Sequence, residues 1–422
     1  MTEICKYNEC TGCYACANVC GHDAIIMRPN KYGYIHPEIL TDKCIDCGAC
    51  RIVCPNNSKP TYRQPIKALA ACASDADEQL TSTSGGIASV LGRHILKNGG
   101  VVYGCTGKDW NNIQHIRIDK ESDIELLKGS KYVQSKINFV FKEIREDLVK
   151  GNQVVFIGTP CQVAGLLSFI PVKLQDQLLT VDFVCHGVPN QKMLSEWLCR
   201  LLDRNKDTDS DLAFRIKQWR KSPISPFKIV NGRTLYKASL EKKYRTRYGL
   251  FILGNKGVKL NHPFPKDDYI VGFLTGLLYR DSCYQCHYAK AERVSDITLG
   301  DFHFDKYKDN KVKGENRLLS KVIVNTEKGH TILNTVSADI NCVEINYESL
   351  LKNKSQLSQP MSCPQQREKF LNDYGIIGID ALPINVKHEK RRLKRHLLKT
   401  RIMDVVYSFP IMGSVLYRLR HD

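Results

Sequence analysis

Eight of the nine cysteines in the first 54 residues are spaced to hold metal rather than to cross-link the chain. Cys10, Cys13, Cys16 and Cys20 follow Cys-x-x-Cys-x-x-Cys-x-x-x-Cys, and Cys44, Cys47, Cys50 and Cys54 repeat the run 34 residues later, with Pro55 next. Three cysteines at two-residue gaps wrap a tight loop around three corners of an iron–sulfur cubane, and the fourth lies too far along the chain to reach the same one. The spacing predicts crossed ligation: Cys10, Cys13, Cys16 and Cys54 on one 4Fe–4S cluster, and Cys44, Cys47, Cys50 and Cys20 on a second. Gly12, Ala15, Gly48 and Ala49 fall between ligands, where backbone amides must approach sulfide. Zinc also takes cysteine pairs, but a triple run is not its pattern. Gly21 replaces the proline usual after such a run, at a position that ligates nothing.

Four further cysteines lie in a different context. Cys161 (in Gly158-Thr159-Pro160-Cys161-Gln162) and Cys185 (in Cys185-His186-Gly187) each follow an apolar run that reads as a strand, and Cys283 and Cys286 form a Cys-x-x-Cys pair. In an α/β sheet the strand ends converge on one edge, where sites form. A third cubane site is one reading. Buried thiols acting as small hydrophobes are the other. Cys5, Cys72, Cys105, Cys199, Cys342 and Cys363 have no partner at ligand spacing and read as ordinary thiols.

The elements that must position these residues are legible in outline. Pro55 to Pro65 forms a connector that closes the N-terminal module. Ile66–Ala73, Val101–Tyr103, Gln153–Ile157, Leu178–Val184 and Lys321–Asn325 read as strands, with helices over Ile87–Lys97 and Cys161–Phe169. Such alternation argues for an α/β body. Beyond about residue 340 the pattern weakens into polar loops and a basic helical tail.

The 422 residues suffice for a full core, so the 18 cysteines are not needed as staples. No secretory signal and no apolar run long enough to span a membrane is apparent, so a reducing, cytoplasmic setting is expected. The net charge of +18 is uneven: residues 1–60 are near balance, whereas 214–248 and 387–401 are strongly basic.

In combination and order, several stretches make the chain resemble the beta subunits of deazaflavin-coenzyme (F420) hydrogenases and dehydrogenases, carrying an N-terminal two-cluster ferredoxin domain. They are Ser82-Thr83-Ser84-Gly85-Gly86, Lys128-Gly129-Ser130-Lys131-Tyr132-Val133-Gln134-Ser135, the Cys161 and Cys185 motifs, Tyr279-Arg280-Asp281-Ser282-Cys283-Tyr284-Gln285-Cys286 and Leu299-Gly300-Asp301-Phe302. The resemblance implies an FAD-containing oxidoreductase. It also implies a third cluster at Cys161, Cys185, Cys283 and Cys286. It further places Ser82, Thr83, Ser84, Gly85, Gly86, Lys128, Gly129, Ser130, Lys131, Tyr132, Gln134 and Ser135 at the flavin. Read alone, the Ser/Thr/Gly run offers amides and hydroxyls to a pyrophosphate, or is simply an N-cap and loop. Lys128 and Lys131 would add positive charge, or form a solvated helix-end pair. His303 stands where the family has an aromatic residue, and no nickel site is visible.

The fold expected is thus an α+β ferredoxin-like module (1–62) fused to an α/β flavin-binding domain (66–335), then a C-terminal extension with a basic helix (336–422). The function expected is electron passage between the clusters and FAD, to or from an organic substrate or a deazaflavin-type coenzyme, with His186 a candidate proton donor. A non-catalytic electron-transfer subunit of a larger complex is the alternative. An acidic redox partner such as a ferredoxin suits the charge. Arg215–Arg247, interleaved with Trp219, Phe227, Tyr236, Tyr244 and Tyr248, reads first as a basic surface insertion, and nucleic acid is a weak alternative. Leu393, Leu397 and Leu398 lie at helical spacing in the basic tail, and an apolar stretch, Ile402–Leu416, follows, broken by Asp404, Pro410 and Gly413. That tail suits either packing on the body or contact with an anionic membrane surface.

Overall fold

The computed structural model describes residues 3–201, 211–221, 227–230, 233–236, 242–254, 257–302, 319–351 and 356–408. The N-terminal module contains one hairpin, β1 (Ile25–Pro29) and β2 (Ile35–Ile39), and two short helices, Ala15–Val19 and Ala49–Ile52. Each helix begins within one cysteine run, so the internal repeat of the sequence is a repeat of structure.

Eight strands form the body sheet: β3 (Lys67–Ala73), β4 (Val101–Thr106), β5 (Gln114–Ile118), β6 (Val154–Ile157), β7 (Leu178–Phe183) and, after an insertion, three more. The insertion is antiparallel: β8 (Asp211–Lys221), β11 (Lys242–Gly254) and β12 (Gly257–Pro263) pair in one sheet, and β9 (Phe227–Val230) with β10 (Arg233–Tyr236) in a hairpin. The expected basic insertion is therefore built of strands. The sheet is completed by β13 (Ile297–Asp301), β14 (Ser320–Val324) and β15 (Ile340–Glu344), in the order β15-β3-β14-β13-β7-β6-β4-β5. Its centre, β13-β7-β6-β4, is parallel and its flanks are antiparallel. β15 lies past residue 335, where the sequence pattern places the start of the C-terminal extension, so the body sheet reaches Glu344. Its outward residues are polar and its pairing partner, β3, is some 270 residues away, so no local pattern marks it as a strand.

Alternate residues of a strand face opposite sides. Val102, Val155 and Val181 face the helix Ile87–Lys97, whose Ile87, Leu91 and Ile95 are buried against them. Val101, Tyr103, Val154 and Phe156 face the other way, against helices Val140–Val149 and Pro160–Phe169. Tyr14, Ala15 and Val53 of the N-terminal module join this second core. The module is thus packed into the body rather than tethered to it. The helix from Ala381 also returns to the body: Ala381, Leu382 and Val386 share a core with Trp197 and Tyr269, and Leu393 packs against it while Leu398 is exposed. Residues 409–422, with most of the apolar stretch, lie outside the described residues, as does His303. Among the described residues no helix is long and apolar enough to cross a membrane.

One buried network under β4 and β5 has a pH consequence. Asp147, only 4% exposed, accepts from Tyr103 Oη at 2.7 Å, Arg117 Nε at 2.9 Å and Asn152 Nδ2 at 2.9 Å. Burial alone would raise its carboxyl, but these donors more than offset that, and it titrates below the usual carboxylate range. A depressed folded pKa contributes stability above the unfolded value, about 3.9, that is lost as pH falls through the folded pKa. Asp147→Asn should therefore lower the urea midpoint at pH 7, by about 1–3 kcal/mol of stability. The gap from wild type should narrow below about pH 4. A gap independent of pH would contradict this account.

Candidate metal centre

The two cysteine runs share a backbone conformation that few sequences adopt. Gly12 and Tyr14 have φ of +64° and +69°, and the matching positions in the second run, Asp46 and Gly48, have +55° and +74°. Left-handed backbone at a non-glycine residue costs about 1–3 kcal/mol, so the strain at Tyr14 and Asp46 marks a loop shape held for a purpose. These turns curl each Cys-x-x-Cys-x-x-Cys segment on itself.

Cys10, Cys13, Cys16 and Cys54 line one pocket, together with Cys5, Thr11, Gly12, Met27, Pro37 and Asn56. This is the crossed set expected from spacing. Cys50 has Cys47 and Cys20 beside it, three of the four cysteines of the other crossed set, with Cys47 exposed. Cys161, Cys185, Cys283 and Cys286 line a second pocket, with Thr11, His186, Arg280 and Tyr288. Cys161 and Cys185 follow the carboxyl ends of the parallel neighbours β6 and β7, so the sheet edge gathers what the chain separates. Thr11 borders both pockets. Its hydroxyl is buried without a protein partner among the described residues.

Local structure fixes each thiol. Cys161 sits in the first turn of helix Pro160–Phe169, which is closed by a capping box between Thr159 and Gln162. A helix N-terminus favours thiolate there. Gly165 of the same helix makes room for the module, because a Cβ on it would lie 2.9 Å from Cys13 Sγ. Gly187 does the same for the other pocket: its φ is +133°, and a Cβ would fall 2.3 Å from the Tyr279 ring. As free thiols Cys13, Cys161 and Cys283 are poorly placed to ionise, whereas hydrogen bonds with Cys5 hold Cys10 and Cys54 below the usual thiol range. Burial pushes Cys13 and Cys283 up to about 12 and Cys161 up to about 11. Metal ligation replaces the proton and removes that penalty, so the donor chemistry fits a cluster at each pocket. Among the described residues no three His, Cys, Asp or Glu side chains converge closely enough for one bare ion. Thiols around a single zinc sit about 3.8 Å apart, and a cubane spaces them more widely.

Cys5 departs from its reading as an ordinary thiol. It lies against Cys10 and Cys54, whose hydrogen bonds, with burial, drive its proton affinity far up. Nothing in its spacing signals this, because the contact is made by the folded loop. Cys72, fully buried in β3, matches the ordinary reading.

The two segments expected at the flavin meet at Thr83 and Ser130, whose hydroxyls are 3.3 Å apart. Gly86 caps helix Ile87–Lys97, which has no acidic residue in its first turn. Gly85 is pinned to the sheet: it donates to Ser320 Oγ and accepts from the Ala73 amide, and a Cβ on it would lie 2.3 Å from the Ala71 carbonyl. Ser82 hydrogen-bonds Glu78, and Ser84 the Leu319 carbonyl. Lys128 is engaged by Glu78 and Glu125, while Lys131 donates to the carbonyls of Leu127 and Lys128. Tyr132 stacks on Phe273, and Ser135 accepts from Gln162. Gln134 turns to the module, donating to the Thr11 and Gly12 carbonyls. Gly129, with φ of +89°, lies between the two lysines.

Residues 9–58 match the 4Fe-4S dicluster domain, and residues 151–348 match the family described as the C terminus of the coenzyme F420 hydrogenase/dehydrogenase beta subunit. That region carries the C-terminal domain of this beta-subunit family. It is 20% identical over 211 residues to one of the subunits of the F(420)H(2) dehydrogenase of Methanosarcina mazei, covering 46% of this chain and 60% of that one. It is 22% identical over 394 residues to a coenzyme F420-dependent sulfite reductase of Methanocaldococcus jannaschii, covering 90% of this chain and 55% of that one. The chain thus spans less than two thirds of either relative. A chain from the xenon-derivatised F420-reducing nickel–iron hydrogenase complex of Methanosarcina barkeri aligns at 16% identity with a TM-score of 0.42, covering 77% of this chain and 92% of that chain.

Proposed function

We propose that the chain is an iron–sulfur oxidoreductase that moves electrons between two N-terminal clusters, a third cluster and FAD, and exchanges them with a deazaflavin-type coenzyme or another organic substrate. The observation that carries the reading is the shared wall. The pocket of Cys10, Cys13, Cys16 and Cys54 and the pocket of Cys161, Cys185, Cys283 and Cys286 both touch Thr11, and Cys13 lies against the helix that bears Cys161. When bound, 4Fe–4S clusters supply single-electron carriers and a flavin supplies exchange between one and two electrons.

The protein's own part is to place, shield and ionise the donors. Tyr14, Ala15 and Val53 bury the module against the body, which keeps water from the inner pocket. The Cys20, Cys44, Cys47 and Cys50 set is the outer one, with Cys47 exposed, and suits exchange with a redox partner. Thr83, Ser130 and the amides after Gly86 would hold the flavin's pyrophosphate. Lys128, already paired with two carboxylates, would shape that wall rather than supply a free charge.

The test is anaerobic reduction of the full chain reconstituted with FAD, followed by addition of oxidised deazaflavin coenzyme. Reoxidation of the flavin with stoichiometric reduction of the coenzyme is expected. Clusters that reduce and reoxidise normally, with no flavin bound and no coenzyme turned over, would leave the chain a non-catalytic electron-transfer subunit.

A further inference from the structure

Arg280 lines the pocket of Cys161, Cys185, Cys283 and Cys286 and reaches the Cys10 loop of the other, and no carboxylate among the described residues answers its charge. The side chain is 1% exposed. Its Nε donates to the Cys10 carbonyl at 2.6 Å, one terminal nitrogen to Gln134 Oε1 at 3.1 Å, and the other to the Ile35 carbonyl at 2.6 Å and toward His36 Nε2 at 3.2 Å. All these partners are neutral dipoles or a histidine ring. Among the described residues no carboxylate pairs with Arg280, and the adjacent Asp281 faces Arg367 instead, at 3.2 Å. A buried cation without an anion is strongly unfavourable. The same guanidinium lines the pocket of Cys161, Cys185, Cys283 and Cys286, while its Nε holds the carbonyl of Cys10 in the other pocket.

We propose that Arg280 is the shared counter-charge of the two inner cluster sites, positioning the Cys10 loop and raising the reduction potential of the clusters on either side. The proposal rests on the cluster reading above. A cubane held by four thiolates is anionic, and its potential follows net charge and hydrogen bonding. A fixed cation between two such groups answers its own burial and makes each easier to reduce. Arg280 is a positioning residue, since it acts through the Cys10 backbone and through its field.

The experiment is an EPR-monitored redox titration of the anaerobically purified full chain, comparing wild type, Arg280→Gln and Arg280→Lys. None of Arg280's hydrogen-bond partners belongs to the Cys20, Cys44, Cys47 and Cys50 set, so that cluster is the internal reference. In Arg280→Gln the inner clusters should become at least tenfold harder to reduce, about 59 mV for a one-electron couple, while the reference stays put. Arg280→Lys should hold near wild-type potentials. Unchanged inner potentials in an Arg280→Gln chain with full iron would overturn the proposal. If Arg280→Gln does not fold, a tenfold fall in Arg280→Lys would overturn it equally, because the charge is still present there. A wild-type chain with iron for only two clusters would remove the third site and the reading above, and the shift of the Cys10 site would still decide the role of Arg280.

Discussion

Cys161→Ser and Cys185→Ser, each made in the full chain, are expected to lose about four iron atoms and four sulfides per chain while keeping about eight of each. The reason is geometric. These thiols follow adjacent strands of one sheet and share a pocket with Cys283 and Cys286, yet they take no part in the Cys10–Cys54 module. The fold around them should persist, because the sheet core of Val155, Val181, Ile297 and Val322 does not involve them. Iron and sulfide analysis with EPR of the reduced chain reads the result. Iron unchanged from wild type in both variants would show that these cysteines are packing residues.

Gly187→Ala is expected to have the same effect on iron with a larger effect on stability. At φ +133° an alanine is strained, and its methyl would overlap the Tyr279 ring, which is wholly buried and has nowhere to go. Strain and overpacking each cost about 1–3 kcal/mol. Relief requires moving either the Cys185-His186-Gly187 turn or the Tyr279–Cys283 segment, and each carries ligands of the same pocket. Loss of the third cluster with the N-terminal pair intact, and a urea midpoint well below wild type, are the outcomes to look for. A variant with full iron and unchanged stability would show that the turn relaxes freely.

What the sequence made legible is what depends on near neighbours. The cysteine runs could be read because cubane ligation imposes a local spacing, and the left-handed turns at Gly12, Tyr14, Asp46 and Gly48 bear out that the two runs share one conformation. Lys67–Ala73, Val154–Ile157 and Leu178–Phe183 could be read because strands buried on both faces are continuous apolar runs. Long-range partners could not be read. Arg280 belongs to a motif of the family resemblance, but its bond to Cys10 spans 270 residues. Gln134, expected at the flavin, meets the module loop across 123 residues. Lys128 carries no sign that Glu78, 50 residues earlier, engages its charge. Cys5 joins the first pocket only through the folding of the loop that follows it. β15 pairs with β3 only after nearly the whole body has intervened.

Iron, acid-labile sulfide and released flavin per chain, measured after strictly anaerobic purification, test the central claim most directly. About 12 iron, about 12 sulfide and one FAD are expected, as three cubanes and one flavin require. About eight iron with no flavin, and none taken up when FAD is added, would contradict it and leave a two-cluster electron carrier.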